Sequence, residues 1–596
     1  MSKRRKTALA GAIVLLVIVV VAARIAAYRP MAGPDDAGAP ANGAGWGHPW
    51  RGAIHVHTTY SDGAGGVDEV AAAAAEAGLD FVVLTDHNLI GDRPRSAWHG
   101  DVLMIVGEEV STEEGHLLAL QVPAHRYQFG PTARQALDDI HDEGGWALVA
   151  HPDHAREAWT GGWGGTEGLE VVNLASSWSR LSTLGGAVAL GSSLVDGDYA
   201  ALRLLADDWP ALGLWQTLTS LPARPLTVSR PRLAIGAADA HGPIAFPFPG
   251  PGYAETLGAV TTLVWLDRPF AGAGSGDAAE VEAELLAALR AGRAAIETAA
   301  AGDASGFAFT AATSGGETAR LGDLAPWEAG PWTLRASFRS PGSSRIVLRR
   351  DAETLAESTS GELESPAEAP GTYRVEVYRS DLRGALAGPR PTPWLVSNPI
   401  YLWPAAARAG ARIRRAPPLP APPLAEDLLA AARFEANQAG VLANDVGAEA
   451  GGEMSWRLAL ATESARDAFA AMAWRPEAPL DWSRFDGLVV QLDAGATLRV
   501  SLEVRTLAAD GSLDSWIHSL KAGPDSPATA VPWQWFRPPW SGVGGHDAER
   551  DARWPGADEL RNVQGLFLLV TPAILAPGSE AVVRLRTLGL YGEGPE

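Results

Sequence analysis

A chain of 596 residues has room for about four folded units at roughly 150 residues each, which excludes a single compact domain. Gly (66) and Pro (43) are enriched but stay below the roughly 25–30% of low-complexity sequence, and 46% hydrophobic residues with 22 Trp supply material for sizeable cores. The formal net charge of −22 argues against a grip on long nucleic acid, and the absence of cysteine excludes disulfides, thiolate nucleophiles, Cys-ligated zinc and iron–sulfur clusters. Any metal must be held by His and carboxylates.

Lys3, Arg4, Arg5 and Lys6 precede an apolar run from Thr7 that continues past Arg24 to Ala27. As a helix this run spans about 31 Å, enough for the hydrocarbon core of a bilayer, with Arg24 snorkelling to the far interface. The basic side is expected to stay cytoplasmic. The sequence therefore predicts a signal anchor or transmembrane helix over 1–28, single-pass in the cell membrane, and a flexible tether over 29–50. The body is then extracytoplasmic. Cleavage near Ala37-Gly38-Ala39 would instead make it secreted or periplasmic.

From Arg51 to about Ala300 the segments AIHVH, VDEVAAAAAEAG, FVVLTDH, VLMIVGEE, HLLALQV, TARQALDDIHDEGG, WALVAHP and GLEVVN alternate as strands and helices, a β/α pattern suited to a parallel sheet. Gly78 and Gly144-Gly145 stand where helices need C-terminal caps. The Leu/Ala/Gly-rich stretch from Ser179 to Arg230 predicts two or more helices forming an insertion or lid. After Ala300, period-two runs such as WTLRASF, SRIVLRR and TYRVEVYR predict an Ig-like β-sandwich over 301–403. Residues 404–425 are a Pro/Ala/Arg linker, and 426–596 predict a jelly-roll-like β-sandwich. Trp533, Trp535 and Trp540 of PWQWFRPPW either fill its core or offer a stacking platform for sugar rings, which would make it a glycan- or envelope-binding module.

Eleven of the 13 His lie before residue 242. His55 and His57, one residue apart in a strand pattern, project from the same face. The following apolar strands end in Asp86-His87, Glu108-Glu109, His151, and Asp239 with His241; His116 opens HLLAL and Asp62 sits in the turn after the first strand. In a closed parallel barrel such ends gather at one mouth. Desolvating so many polar groups together is costly without a cation, so the pattern points to a multinuclear metal site.

HVHTTYSDG (55–63), LTDHN (84–88), GEEVS (107–111), GHLLAL (115–120), AHPDH (150–154) and DAHG (239–242) resemble, in order, the motifs of the PHP (polymerase and histidinol phosphatase) superfamily of metal-dependent phosphoesterases. The resemblance implies a distorted (β/α)7 barrel holding up to three divalent ions (Zn, Mn or Fe). His55, His57, Glu109 and Asp239 would hold one. His116 and His151, with Glu109 bridging, would hold a second, and Asp62, His87 and His241 a third. Ala237-Ala238 stand where the family often has Gly-Ser, which removes a hydroxyl bond to the site. SNPIYL (397–402) is similar to the end of a β-extension in secreted and membrane-bound members.

Three divalent ions against three carboxylates leave a net positive cage, complementary to a phosphate monoester. The expected reaction is hydrolysis of small phosphoesters or nucleotides by a metal-activated hydroxide, with Glu109 and Asp239 at the reacting centre. His154 or Asp153 would protonate the leaving group. Asp86 is expected to orient a ligand His, and Arg93, Arg95, Arg156 and Arg180 to steer phosphate. Hydrolysis of a carbamate, ester or amide, as in the carbaryl-hydrolase-like branch, is the alternative.

Overall fold

The sequence HPWRGAIHV forms the first described strand, β1 (His48–Val56), and its second half is wholly buried. Continuous burial follows from its place in the sheet: Trp50 and Ile54 enter one apolar core and Ala53 and Val56 another, so both faces are covered. The structure, a computed structural model, describes residues 47–592 apart from stretches of which the longest are 89–95, 124–128, most of 183–208, 222–231, 380–392, 411–420, 460–468, 539–553 and 572–577. The expected anchor over 1–28, most of the tether, Arg93, Arg95, much of the insertion, part of the linker and Trp540 lie outside the described residues. Among the described residues no helix is long and apolar enough to cross a membrane.

β1 pairs parallel with β2 (Phe81–Leu84). The order continues through β3 (Ser96–His99), which closes the edge antiparallel to β4 (Val102–Val106), itself parallel to β2. A second sheet runs β5 (Glu108–Thr112), β6 (Gly115–Leu120), β7 (Trp146–Val149), β8 (Gly168–Asn173) and β9 (Leu233–Ala237), its last three strands parallel. The strands expected to form one barrel are thus divided between two sheets. Single bridges join them, Val56 to Ala240 and His87 to Glu109, at the strand ends where the polar residues gather.

VDEVAAAAAE forms the helix Val67–Glu76, with Asp68 and Glu69 in its first turn and Val70, Ala71 and Ala74 buried. Gly78 follows its C-cap at φ +70°, a left-handed turn that returns the chain to β2. The capping box of Thr132 and Gln135 starts the helix Ala133–Asp142, which buries Ala136, Leu137 and Ile140. Of the predicted insertion, the described helix Pro210–Thr219 buries Trp215.

Beyond β1 the first sheet continues through Thr261–Leu266 and Ala294–Glu297 to Pro393–Ser397, then to Gly371–Arg379, Ile400–Trp403 and Leu324–Pro326. A four-stranded antiparallel sheet of Phe307–Thr313, Thr318–Arg320, Trp332–Phe338 and Glu362–Ala367 is built from the same segment. The boundary predicted between 300 and 301 therefore separates nothing, because one sheet crosses it. Residues to 414, apart from 89–92 and 124–131, form one compact unit. The cause lies in SNPIYL. Asn398, buried, accepts the Ala234 N–H at 2.8 Å and donates to the carbonyls of Ala234 and Ala294 at 2.9 and 3.0 Å. The Tyr401 hydroxyl accepts the Arg232 N–H at 3.1 Å. Replacing Asn398 with Ala leaves the buried N–H and carbonyl of Ala234 unpaired, while the Ala294 carbonyl keeps the backbone N–H of residue 398 at 3.0 Å, and is expected to lower stability by about 2–3 kcal/mol. An unchanged urea midpoint would contradict this staple.

The second unit comprises 89–92, 124–131 and 415–596. Its two antiparallel sheets contain Ala443–Ala448, Met454–Ala459, Glu580–Tyr591, Gly487–Ala494 and Thr529–Pro532 on one side, and Phe434–Ala439, Phe469–Trp474, Val563–Val570, Leu498–Leu507 and Leu513–Ala522 on the other. Of the three tryptophans of PWQWFRPPW, Trp533 and Trp535 are among the described residues. Trp533 is core: it donates to the Phe485 carbonyl at 2.7 Å and stacks on Trp482 at 5.9 Å, while Trp535 is half-buried.

Candidate metal centre

β1 leaves regular geometry at His55, whose backbone turns left-handed (φ 69°) while the register to β2 slips between Ile54 and Val56. The plain alternation expected for His55 and His57 is interrupted there. Their rings nevertheless converge, with centroids 5.1 Å apart. His151 (φ 25°) and Asp239 (φ 48°) are left-handed as well, so three of the predicted ligands stand on backbone that residues with a Cβ rarely adopt.

Glu109 is the hub. Its Oε1 lies 2.7 Å from His116 Nδ1 and 3.0 Å from His151 Nε2, and its Oε2 lies 3.0, 3.2 and 3.3 Å from His55 Nε2, His57 Nε2 and His87 Nδ1. His57, Asp62, His87 and His241 form one group of donor atoms within 4.8 Å of one another, and His55, His151 and Asp239 another. His55, His57 and Glu109 form a third, and His87, Glu109 and His116 a fourth. All nine predicted ligands are brought together, although His57 also joins Asp62, His87 and His241, and His151 groups with His55 and Asp239. The sequence reading missed Glu157, which completes a fifth group with His116 and His151.

Supporting residues surround this cluster. Asp86 reaches the ligand His57 through Ser61, whose hydroxyl lies 3.3 Å from His57 Nδ1. It accepts from the Thr58 N–H and hydroxyl at 2.7 and 2.8 Å and from Ser61 at 2.7 Å, fixing the turn that carries Asp62. The Tyr253 hydroxyl donates to the His57 carbonyl at 2.8 Å. Glu170 and Asn173, also missed, lie on β8. Glu170 accepts from His55 Nδ1 at 2.6 Å, and Asn173 donates to Asp239 at 3.2 Å, a bond that Ala237-Ala238 cannot supply. The signal was a lone acid within the apolar run GLEVVN. Asp153 is engaged by Arg180 at 2.8 Å, and His154 stands beside His151 with ring centroids 5.4 Å apart. A cleft of about 380 Å³ lined by Arg51, Glu255 and Asp303 opens at the beginning of β1 instead. Its Arg51 is committed to Glu297 at 2.8 Å and to Asp303.

The electrostatics express this crowding. Burial opposes charge on every group, yet the carboxylates Asp239, Glu109 and Glu170 hold His55 well above the ordinary imidazole range. Burial is likewise outweighed at His57, raised to about 10 by hydrogen bonds to Asp239 and Glu109, and at His151, raised to about 9 chiefly through Glu109. Burial prevails at His87, lowered to about 3. Against the effect of burial, the surrounding imidazoles hold Glu109, Asp239 and Asp62 below the usual carboxylate range. His154 is lowered by burial and by His151.

This donor set fits divalent ions. His55 Nε2, His57 Nε2 and His151 Nδ1 are buried without an aligned hydrogen bond, even where a carboxylate oxygen is close. Donors about 2.0–2.2 Å from a shared ion sit roughly 3.0–3.5 Å apart, and most of the Glu109 separations match. No cysteine is required.

Comparison with known protein families gives no match, and no curated protein matches the chain. Among solved structures it is similar to a two-domain protein from Bacteroides vulgatus containing a predicted PHP-like metal-dependent phosphoesterase, at 14% identity over 59% of this chain and 96% of that one, with a TM-score of 0.27. It is also similar to a family 11 carbohydrate-binding module from Clostridium thermocellum in complex with a mixed-linked tetrasaccharide, at 12% identity over 27% of this chain and 91% of that one, with a TM-score of 0.21. Likenesses this slight leave the functional reading to the residues themselves.

Proposed function

We propose that the chain is a metal-dependent hydrolase of small phosphoesters, nucleotides included, built around up to three ions of Zn, Mn or Fe. The observation that carries the reading is one buried carboxylate, Glu109, ringed by five imidazole nitrogens at 2.7–3.3 Å. In this reading the two sheets are halves of a distorted β/α barrel, residues 1–28 anchor the body outside the cytoplasm, and the β-sandwich at 426–596 contacts glycan. Divalent ions at these donors supply Lewis acidity toward a phosphoryl oxygen and lower the pKa of water.

The chain's own residues divide the remaining tasks. Glu109 and Asp239 hold the imidazoles in a common orientation, and Asp62, 40% exposed, faces the open side. Arg156 is exposed and free to meet an incoming anion. His154 serves as the leaving-group acid: its Nδ1 accepts the Glu157 N–H at 3.3 Å, which places the proton of the neutral ring on Nε2 as a donor. Replacing His154 with Gln is expected to lower kcat about a hundredfold for poor leaving groups and less for good ones. An equal loss for both would remove it from the acid role.

A carbamate, ester or amide substrate is the second reading. Glu170, in contact with His55, adds a carboxylate that trims the positive excess favouring phosphate. Metal-loaded full-length protein should turn over a phosphomonoester or phosphodiester. Turnover of an aryl ester alone would replace the phosphoesterase reading with the second.

A further inference from the structure

The three predicted ligands with left-handed backbone, His55, His151 and Asp239, are also one of the donor groups. They share a further property: each is bonded to a pair of residues on β8. Glu170 accepts from His55 Nδ1 and from the His151 backbone N–H, both at 2.6 Å. Asn173 donates to Glu170 at 2.8 Å and to Asp239 at 3.2 Å, while its carbonyl accepts the Ser176 N–H at 2.8 Å and caps the helix Leu174–Ser179. Glu170 and Asn173 reach the same side of β8 because its register shifts between Glu170 and Val172.

We infer that Glu170 and Asn173 are positioning residues that clamp His55, His151 and Asp239 into ligating geometry and govern ion occupancy at that group separately from the group of His57, Asp62, His87 and His241. The inference rests on the metal-centre reading above. Glu170 accepts the Nδ1–H of His55, which leaves the bare Nε2 facing inward, and outer partners of this kind tune ligand affinity. It also restrains the unfavourable backbone at His151, while Asn173 aims the Asp239 carboxylate. The second group has other supports. Asp86 fixes the turn carrying Asp62, Tyr253 holds the His57 carbonyl, and the Ala64 N–H donates to the His241 carbonyl at 2.8 Å.

A carboxylate at 170 accepts from three donors at once. In Glu170→Gln, one oxygen remains and the new NH2 meets an N–H donor. Asn173→Ser keeps a hydroxyl that can cap Ser176 but is too short to reach Asp239. Full-length protein stripped by chelation would be reloaded in buffered Zn2+, its bound ions counted by elemental mass spectrometry and their affinities measured by competition with a chromophoric chelator. Glu170→Gln is expected to bind one ion about 10–100-fold more weakly and to keep the others. Asn173→Ser should weaken the same ion by less, and it carries the test if Glu170→Gln fails to fold. Asp62→Asn should weaken a different ion, so that its combination with Glu170→Gln loses both. Unchanged number and affinity in both β8 variants would overturn the inference, as would loss of the same ion in Glu170→Gln and Asp62→Asn. A wild-type chain that retains no ion would overturn the hydrolase reading and this inference with it.

Discussion

Replacing Glu109 with Gln is expected to abolish retention of metal and to lower hydrolysis by about a thousandfold. Five imidazole nitrogens surround this carboxylate, and among the described residues no other side chain touches ligands from β1, from the ends of β2 and β7, and from β6 at once. An amide keeps the shape and loses the charge, and its NH2 turns a donor toward nitrogens that must present lone pairs. The metal-stripped variant should also be less stable by about 3–5 kcal/mol at pH 7, since charged imidazoles would remain buried without their partner. Metal content by elemental analysis and turnover of a phosphomonoester check the first claim, and chemical unfolding checks the second. Near-normal metal content in Glu109→Gln would remove this residue from the centre of the site.

The second large effect concerns protons. Chelated protein is expected to lose stability as pH rises above about 6.5, the unfolded imidazole value. His57, raised to about 10, and His151, raised to about 9, bind protons more tightly when folded. Their contribution is complete below pH 6.5 and is lost as pH climbs through about 9 and about 10. His87, lowered to about 3, acts in the opposite sense and costs stability only below pH 6.5. The depressed carboxylates Glu109, Asp239 and Asp62 contribute above the carboxylate range and lose that contribution in acid. Thermal unfolding of chelated protein should therefore occur at lower temperature at pH 10 than at pH 7. Ions compete for the same nitrogens, so loading at pH 7 should release protons and tighten as pH rises. Calorimetric titration in two buffers of different ionisation enthalpy measures that release. Equal heats would contradict it.

Much of the site was legible because its residues interrupt apolar strands. Histidines and acids at the ends of FVVLT, VLMIVG, WALVA and LAIGAA stand out against their surroundings, and the structure brings them within reach of one another. Glu170 and Asn173 were not legible. A strand normally sends residues three apart to opposite faces, and only the slip in register reunites them. Asp86 was singled out for its adjacency to His87, and its bonds to Thr58 and Ser61 run toward His57 instead. The division at residue 300 failed for a related reason. Period-two patterning announces strands but not their neighbours, and the pairing of Ala294–Glu297 with Pro393–Ser397 spans about a hundred residues that carry no local mark of it. Trp533 in PWQWFRPPW was ambiguous until its indole found the Phe485 carbonyl.

The uninterrupted ladder has a consequence for how this protein can be cut or rearranged. Severing the chain near Ala300 would bare two raw strand edges, one on Ala294–Glu297 and one on Pro393–Ser397, each an open template for pairing with another copy. Fragments made there should self-associate more strongly than the intact chain. Shuffling of modules, whether by recombination or by design, has its natural seam after residue 414, where the first compact unit ends.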